Sequence, residues 1–187
     1  MRPAVLERPR RRRARMFLRA ATLSSRSPAD PVIVMLLHRP ELFGTWFELL
    51  PATMRGPSYW TPEERELIAV ATSTWNDCPF CVSAHTEVAA LERRSAEPRP
   101  ELKVMLEFLE NVTRCPVTLT PEDAAPVRAA GIPDDAIEDA LYVNFVFNMV
   151  NRLVHAFGFQ WESDRHLHGA AHGLHRYGYR IPPYLTR

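Results

Sequence analysis

The densest group of reactive side chains in this 187-residue chain is Cys78-Pro79-Phe80-Cys81-Val82-Ser83-Ala84-His85. Proline suits the first position of a helix, where its missing N–H is not needed, so Pro79 makes Cys78 the capping residue. Cys81 then falls in the first turn, and His85 lies one turn further on the same face. The unpaired N–H groups and the positive end of the helix dipole stabilise a thiolate there, and a nearby imidazole can take a thiol proton. Two cysteines three apart can close a disulfide across one turn, so one sulfur can attack and the other resolve. Glu66 lies twelve residues before Cys78, between Arg65 and the apolar Leu67-Ile68-Ala69-Val70. If that carboxyl is buried, desolvation is expected to raise its pKa into the range of a proton shuttle.

Other chemistry is open to the same side chains. Cys78, Cys81, His85 and Glu66 are four possible zinc ligands, but three crowd onto one and a half helical turns, which suits a tetrahedral site poorly. The third cysteine, Cys115, precedes Pro116 with no histidine near it and reads as a small buried hydrophobe. Three cysteines do not make the framework of a secreted disulfide protein. His168, His172 and His175 would share a face if helical, but Gly169 and Gly173 weaken that helix and no carboxylate or cysteine joins them. They read as solvated or interface histidines. Asn144, Asn148 and Asn151 follow helical spacing and read as groups satisfying buried or interface polar atoms. Arg152 could meet an acidic group or a substrate carboxylate.

The elements that must position these residues are helical. Thr61-Pro62-Glu63-Glu64 is a capping box, and the run Leu67–Thr74 predicts a helix buried nearly all round. A helix is predicted from Cys78-Pro79 to about Arg93, and a Pro-containing loop over Ser95–Pro100. Leu42, Phe43, Trp46, Phe47, Leu49 and Leu50 form one apolar face after Pro40, and Leu102, Met105, Leu106 and Leu109 another. Thr120-Pro121-Glu122-Asp123 repeats the Thr-Pro-acidic start, with Pro126 interrupting the helix it would open. The longest helix is predicted over about Asp134–Phe157, with Gly158 as its C-cap. Val32–Leu37 lacks a hairpin partner and is not read as a strand. The fold class is all-α: a single domain of about seven helices over residues 31–187.

Charge divides the chain. Residues 1–20 hold eight arginines and one glutamate, a net +7; the other 167 residues hold 15 basic and 21 acidic groups, a net −6. Residues 1–30 read as a basic, extended or disordered arm. No continuous apolar segment comes after its arginines, so export is not expected and the cytoplasm is. The longest apolar run, the six residues Val32–Leu37, is far short of the ~20 that cross a membrane.

Glu66, eleven intervening residues, Cys78-x-x-Cys81, three more and His85 closely resemble the signature of the AhpD-like alkylhydroperoxidases of the carboxymuconolactone decarboxylase superfamily. A second block resembles the peroxidase-related branch: Ala129-Ala-Gly-Ile-Pro-Asp-Asp135, then Asn144-Phe-Val-Phe-Asn148-Met-Val-Asn151-Arg152, ending at Gly158. The resemblance spans residues 40–160. It implies an all-helical, homo-oligomeric, cofactor-free enzyme that reduces hydroperoxides through the cysteine pair. It assigns Cys81 as the peroxidatic residue, Cys78 as the resolving one, and His85 and Glu66 as a proton relay. The implied partners are a hydroperoxide and a dithiol, thioredoxin or lipoyl-type electron donor, with neither membrane nor nucleic acid. Phe80 departs from the pattern, since well-characterised members carry His immediately before the second cysteine. The same chain admits two rival readings. One is a catalytically silent helical scaffold whose arm contacts nucleic acid; the other is a decarboxylase-like enzyme, against which the paired cysteines argue. Apolar faces around Leu42–Leu50 and at Leu141, Tyr142, Phe145 and Phe147 predict burial against a second chain.

Overall fold

The computed structural model describes residues 9–93 and 97–186. Residues 1–8 of the predicted arm and 95–96 of the loop predicted over Ser95–Pro100 lie outside them. The described residues form ten α-helices and a 3₁₀ turn, with no strand among them. In order the helices are α1 (Arg12–Ser25), α2 (Pro31–His38), α3 (Trp46–Arg55), α4 (Pro62–Trp75), α5 (Pro79–Glu92), α6 (Pro100–Arg114), α7 (Ala125–Ala129), α8 (Asp134–Phe157), α9 (Asp164–Tyr177) and α10 (Pro183–Thr186).

Helix α4 is the hub, packed against α5, α6 and α8, while α9 covers the other side of α5. Its start is fixed by the predicted capping box. The Thr61 N–H donates to Glu64 Oε2 at 2.9 Å, and the Glu64 N–H donates to Thr61 Oγ1 at 3.2 Å. Arg99, which precedes α6, donates from Nη2 to Glu64 Oε2 at 2.6 Å and from Nε to Oε1 at 2.8 Å, so the same carboxylate ties α6 to α4. Trp60 is almost wholly buried, and its Nε1–H donates to the Ala136 carbonyl at 2.7 Å, anchoring α8. Gly158 takes the left-handed conformation, φ 63°, that ends α8.

Three expectations are corrected. The helices number ten rather than about seven, because α1, α2 and α10 add to the set and the stretch after Thr120 divides into a 3₁₀ turn at Pro121–Ala124 and α7. The predicted arm contains a packed helix: Ala14 and Leu18 are buried in α1, and Phe17 lies against the core. These residues follow i, i+3, i+4 spacing, so the exposed Arg12, Arg13 and Arg19 decorate the outer face of an amphipathic helix. The helix after Pro40 begins only at Trp46, because turns at Leu42 and Trp46, whose N–H groups donate to Arg39 and Phe43, precede it.

If α1 is part of the core, Leu18→Ala should lower the unfolding free energy by about 2 kcal/mol. The exposed Leu23, changed to Ala, should move it by no more than about 0.5 kcal/mol. Chemical denaturation of the two variants measures the contrast; equal effects would show that α1 is not packed.

Candidate active site

Helices α4 and α5 form an antiparallel hairpin that turns at Asn76-Asp77. Asp77 has a left-handed φ of 52°, and the Cys78 N–H donates back to the Ser73 carbonyl at 2.9 Å. Glu66, ten residues before Asn76, thereby lies opposite His85, nine after it. His85 Nδ1 is 2.7 Å from Glu66 Oε2. A carboxylate there takes the Nδ1 proton as its hydrogen bond, which leaves Nε2 as the nitrogen able to accept another.

Glu66 has no exposed surface, so its remaining lone pairs must be met from within the protein. Arg55, in the last turn of α3, donates from Nη2 to Glu66 Oε1 at 2.8 Å and to Glu92 Oε1 at 2.9 Å. The Tyr179 hydroxyl lies 2.7 and 2.9 Å from the two Glu66 oxygens and 3.2 Å from His85 Nδ1. Tyr179 comes directly after the C-cap Gly178, and both are left-handed, with φ of 66° and 58°. A non-glycine residue there is strained, and the buried hydrogen bonds of its side chain offset that cost. Burial, then the Glu66 charge, pushes the Tyr179 hydroxyl well above its ordinary range, so it stays a donor.

The upward pKa shift expected of a buried Glu66 is corrected. Burial is the largest influence on its carboxyl and does raise it, but the hydrogen bond and charge of His85, the Arg55 guanidinium and Tyr179 together outweigh burial. The net shift is downward. These partners favour the carboxylate form of Glu66, which accepts the hydrogen bond that orients His85.

Cys78 and Cys81 are both buried. The Cys81 thiol, foremost, lowers Cys78 to about 6 against the opposing effect of burial, with help from the Cys81 N–H, His155 and Asn151. Cys81 is pushed well above the ordinary thiol range by sharing its proton with Cys78 and by burial. The interaction between the two sulfurs thus favours the thiolate at Cys78, the N-cap, over the one at Cys81. Asn151 Nδ2 donates to Ser73 Oγ at 3.0 Å, and Asn76 Nδ2 donates to Asn151 Oδ1 at 3.1 Å, so a polar ladder from α8 backs the cysteines. Asn144 Nδ2 donates to Thr72 and Thr113, which joins α8 to α4 and α6.

Cys81 and His85 also line a mainly apolar cavity together with Trp46, Leu50, Phe147 and Tyr179. Phe80 takes no part in a relay; its ring stacks on Trp161 at 4.0 Å and 8°. The Trp161 Nε1–H donates to the Phe80 carbonyl and to Ser83 Oγ, each at 3.0 Å.

The model of the carboxymuconolactone decarboxylase family matches residues 40–98. Two solved structures superpose over most of the chain. One, an uncharacterized peroxidase-related protein from Silicibacter sp. TM1040, has a TM-score of 0.69 and 22% identity, covering 86% of this chain and 91% of its own. The other is described as an alkylhydroperoxidase AhpD core, an uncharacterized peroxidase-related protein from Ralstonia eutropha JMP134. It has a TM-score of 0.70 and 24% identity, covering 89% of this chain and 93% of its own. Residues 40–98 thus resemble the carboxymuconolactone decarboxylase family, and the chain shares the fold of the two solved structures. No curated protein matches the chain.

Of the four residues singled out in the sequence, Glu66 and His85 bond across the hairpin, Cys78 and Cys81 neighbour each other at its turn, and Cys81 and His85 share the cavity. Sequence reasoning missed Arg55 and Tyr179, which arrive from α3 and from beyond α9. Cys115 is exposed at the C-cap of α6 rather than buried, because the helix ends there before Pro116. His168 and His175 bond Glu87 and Glu92 of α5 across the α9 contact, at 2.6 and 2.9 Å, while His172 is exposed.

Replacing Glu66 by Gln leaves Arg55 facing an uncharged amide and should cost about 3 kcal/mol at pH 7, the order found when one partner of a buried ion pair is removed. Because Glu66 is depressed in the folded state, its contribution is complete above the ordinary glutamate value of 4.5 and is lost as pH falls through the folded value. Urea unfolding from pH 7 to pH 3 should therefore show a shallower acid loss in Glu66→Gln than in the wild type. Parallel slopes would mean that Glu66 does not ionise in the folded protein.

Proposed function

We propose that the protein is a thiol-dependent peroxidase that reduces hydroperoxides through Cys78 and Cys81. The observation that carries this reading is a buried cysteine pair in the first turn of α5, with Cys81 on an apolar cavity beside a histidine whose Nδ1 is anchored by a buried carboxylate. Cys81 is the peroxidatic residue because it, and not Cys78, lines the cavity. Its proton passes to Cys78 or to His85 Nε2, and the resulting thiolate attacks the outer oxygen of the peroxide. The O–O bond breaks, Cys81 becomes a sulfenic acid, and the alcohol leaves. Cys78 then attacks the sulfenic sulfur, forming the disulfide and releasing water. An external dithiol, of the thioredoxin or lipoyl type, restores the pair. The apolar lining favours organic hydroperoxides with little charge.

Oligomerisation belongs to the same reading. Phe47, Leu50 and Phe147 are spent in the protein's own core, whereas Tyr142, Phe145 and Met149 stay exposed at i, i+3, i+7 on α8. We assign that stripe to contact with a second copy. Light scattering should give a homo-oligomer, and a monomer would contradict the assignment. A cytoplasmic location is also part of the proposal; no helix among the described residues is long and apolar enough to cross a membrane.

Cys81→Ser should abolish peroxide consumption, whereas Cys78→Ser should still consume about one equivalent in a single turnover and stop at the sulfenic acid. The reverse pattern would exchange the two roles. Full activity in both variants would remove the pair from the chemistry.

A further inference from the structure

The wall of the cavity opposite α5 is built by α2 and α3, whose contributions are apolar: Val32, Ile33, Leu36, Trp46 and Leu50. One carboxyl interrupts it. Asp30 caps α2, its Oδ1 accepting the Val32 N–H at 2.8 Å, and it lines the same cavity as Cys81 and His85. Its position is held from the other side. The neighbouring Ala29 carbonyl lies 3.2 Å from Nε2 of the buried His166 on α9, and Ser27 Oγ donates to the Arg165 carbonyl at 3.2 Å. The titratable groups that face Asp30 are Cys81 and His85 from α5 and His166 from α9, with Tyr179 lining the same cavity. No ion pair ties Asp30 to a cation among the described residues.

From this placement we propose that Asp30 is a catalytic acid of the peroxidase reaction, protonating the alkoxide as the O–O bond breaks. The proposal rests on the peroxidase reading above. A thiolate and a carboxylate facing one mainly apolar cavity repel each other, so the cavity favours one negative charge at a time. Asp30 is half-buried; desolvation, the largest influence, raises its carboxyl against the Val32 N–H, His85 and His166, and an ionised Asp30 would in turn raise Cys81. In the proposed step Asp30 holds the proton while Cys81 is the thiolate. On attack, the thiolate electron pair forms the S–O bond and the O–O bond breaks towards the alkoxide oxygen. The alkoxide takes the Asp30 proton and leaves as the alcohol. Cys81 is then a neutral sulfenic acid and Asp30 a carboxylate, so the single charge has passed from one side of the cavity to the other. The disulfide-forming step releases water, and Asp30 regains a proton from solvent.

Leaving-group dependence separates this role from a structural one. An alkoxide needs a proton to leave, whereas the carboxylate released from a peroxyacid does not. Asn caps a helix as well as Asp does, so Asp30→Asn keeps the α2 start and removes the acid. In single turnover of the reduced full chain, followed by thiol loss, Asp30→Asn should react about 100-fold more slowly with cumene hydroperoxide, the scale of general acid catalysis. Its rate with peracetic acid should match the wild type. Asp30→Ser keeps a capping oxygen without the carboxyl and should show the same contrast if the amide variant does not fold. Equal losses with both peroxides, or no loss with either, would overturn the role of Asp30 alone. A wild-type chain that loses no thiols to either peroxide would overturn the peroxidase reading itself, and the acid role with it.

Discussion

A carboxylate with no exposed surface is an expensive thing to build, because water's solvation must be replaced by fixed donors at good geometry. Glu66 is such a group, and the arrangement of its surroundings answers to that requirement. Arg55 at the end of α3, His85 in the middle of α5 and Tyr179 beyond α9 all converge on its two oxygens. Three segments far apart in sequence are thereby held to α4 by one charge. The same bonds fix the His85 ring, whose Nδ1 is occupied by the carboxylate and whose edge packs on Phe147 at 4.5 Å. Burial and orientation are two aspects of one constraint: the carboxylate is stable only where it is fully partnered, and its partners are immobile because of it.

The cysteines sit at the opposite end of the same hairpin logic. A short turn at Asn76-Asp77 presents Cys78 as the cap of α5, and the first helical turn places Cys81 beside it. The lower pKa belongs to Cys78, whereas access to the cavity belongs to Cys81. These properties need not conflict, because interacting thiols titrate as a pair rather than as separate sites.

Most of the helical frame was legible in the sequence, because its signals are local. The Thr61–Glu64 capping box, the Cys78-Pro79 start and the Gly158 stop each rest on a few adjacent residues. The spacing of Glu66, Cys78, Cys81 and His85 was legible for the same reason: one hairpin carries all four. Arg55 and Tyr179 were not, since a basic residue in a last turn and a tyrosine after a glycine are ordinary until the tertiary fold brings them to Glu66. Helix α1 was hidden by its arginines, which mask the spacing of Ala14, Phe17 and Leu18. Asp30 did carry a signal: Asp30-Pro31 before an apolar run has the same form as Thr61-Pro62, and it marks α2. The downward shift of Glu66 could not be read at all, because burial alone points the other way and the groups that reverse it come from three other elements.

The central claim is that Cys78 and Cys81 form a working redox pair at the end of a cavity that admits a hydroperoxide. Its most direct test is the number of free thiols in the reduced full chain before and after one equivalent of cumene hydroperoxide, with peptide mapping of the product. The account predicts that two of the three thiols are lost, and that Cys78 and Cys81 are joined while Cys115 stays free. Retention of all three thiols, or loss confined to Cys115, would contradict it.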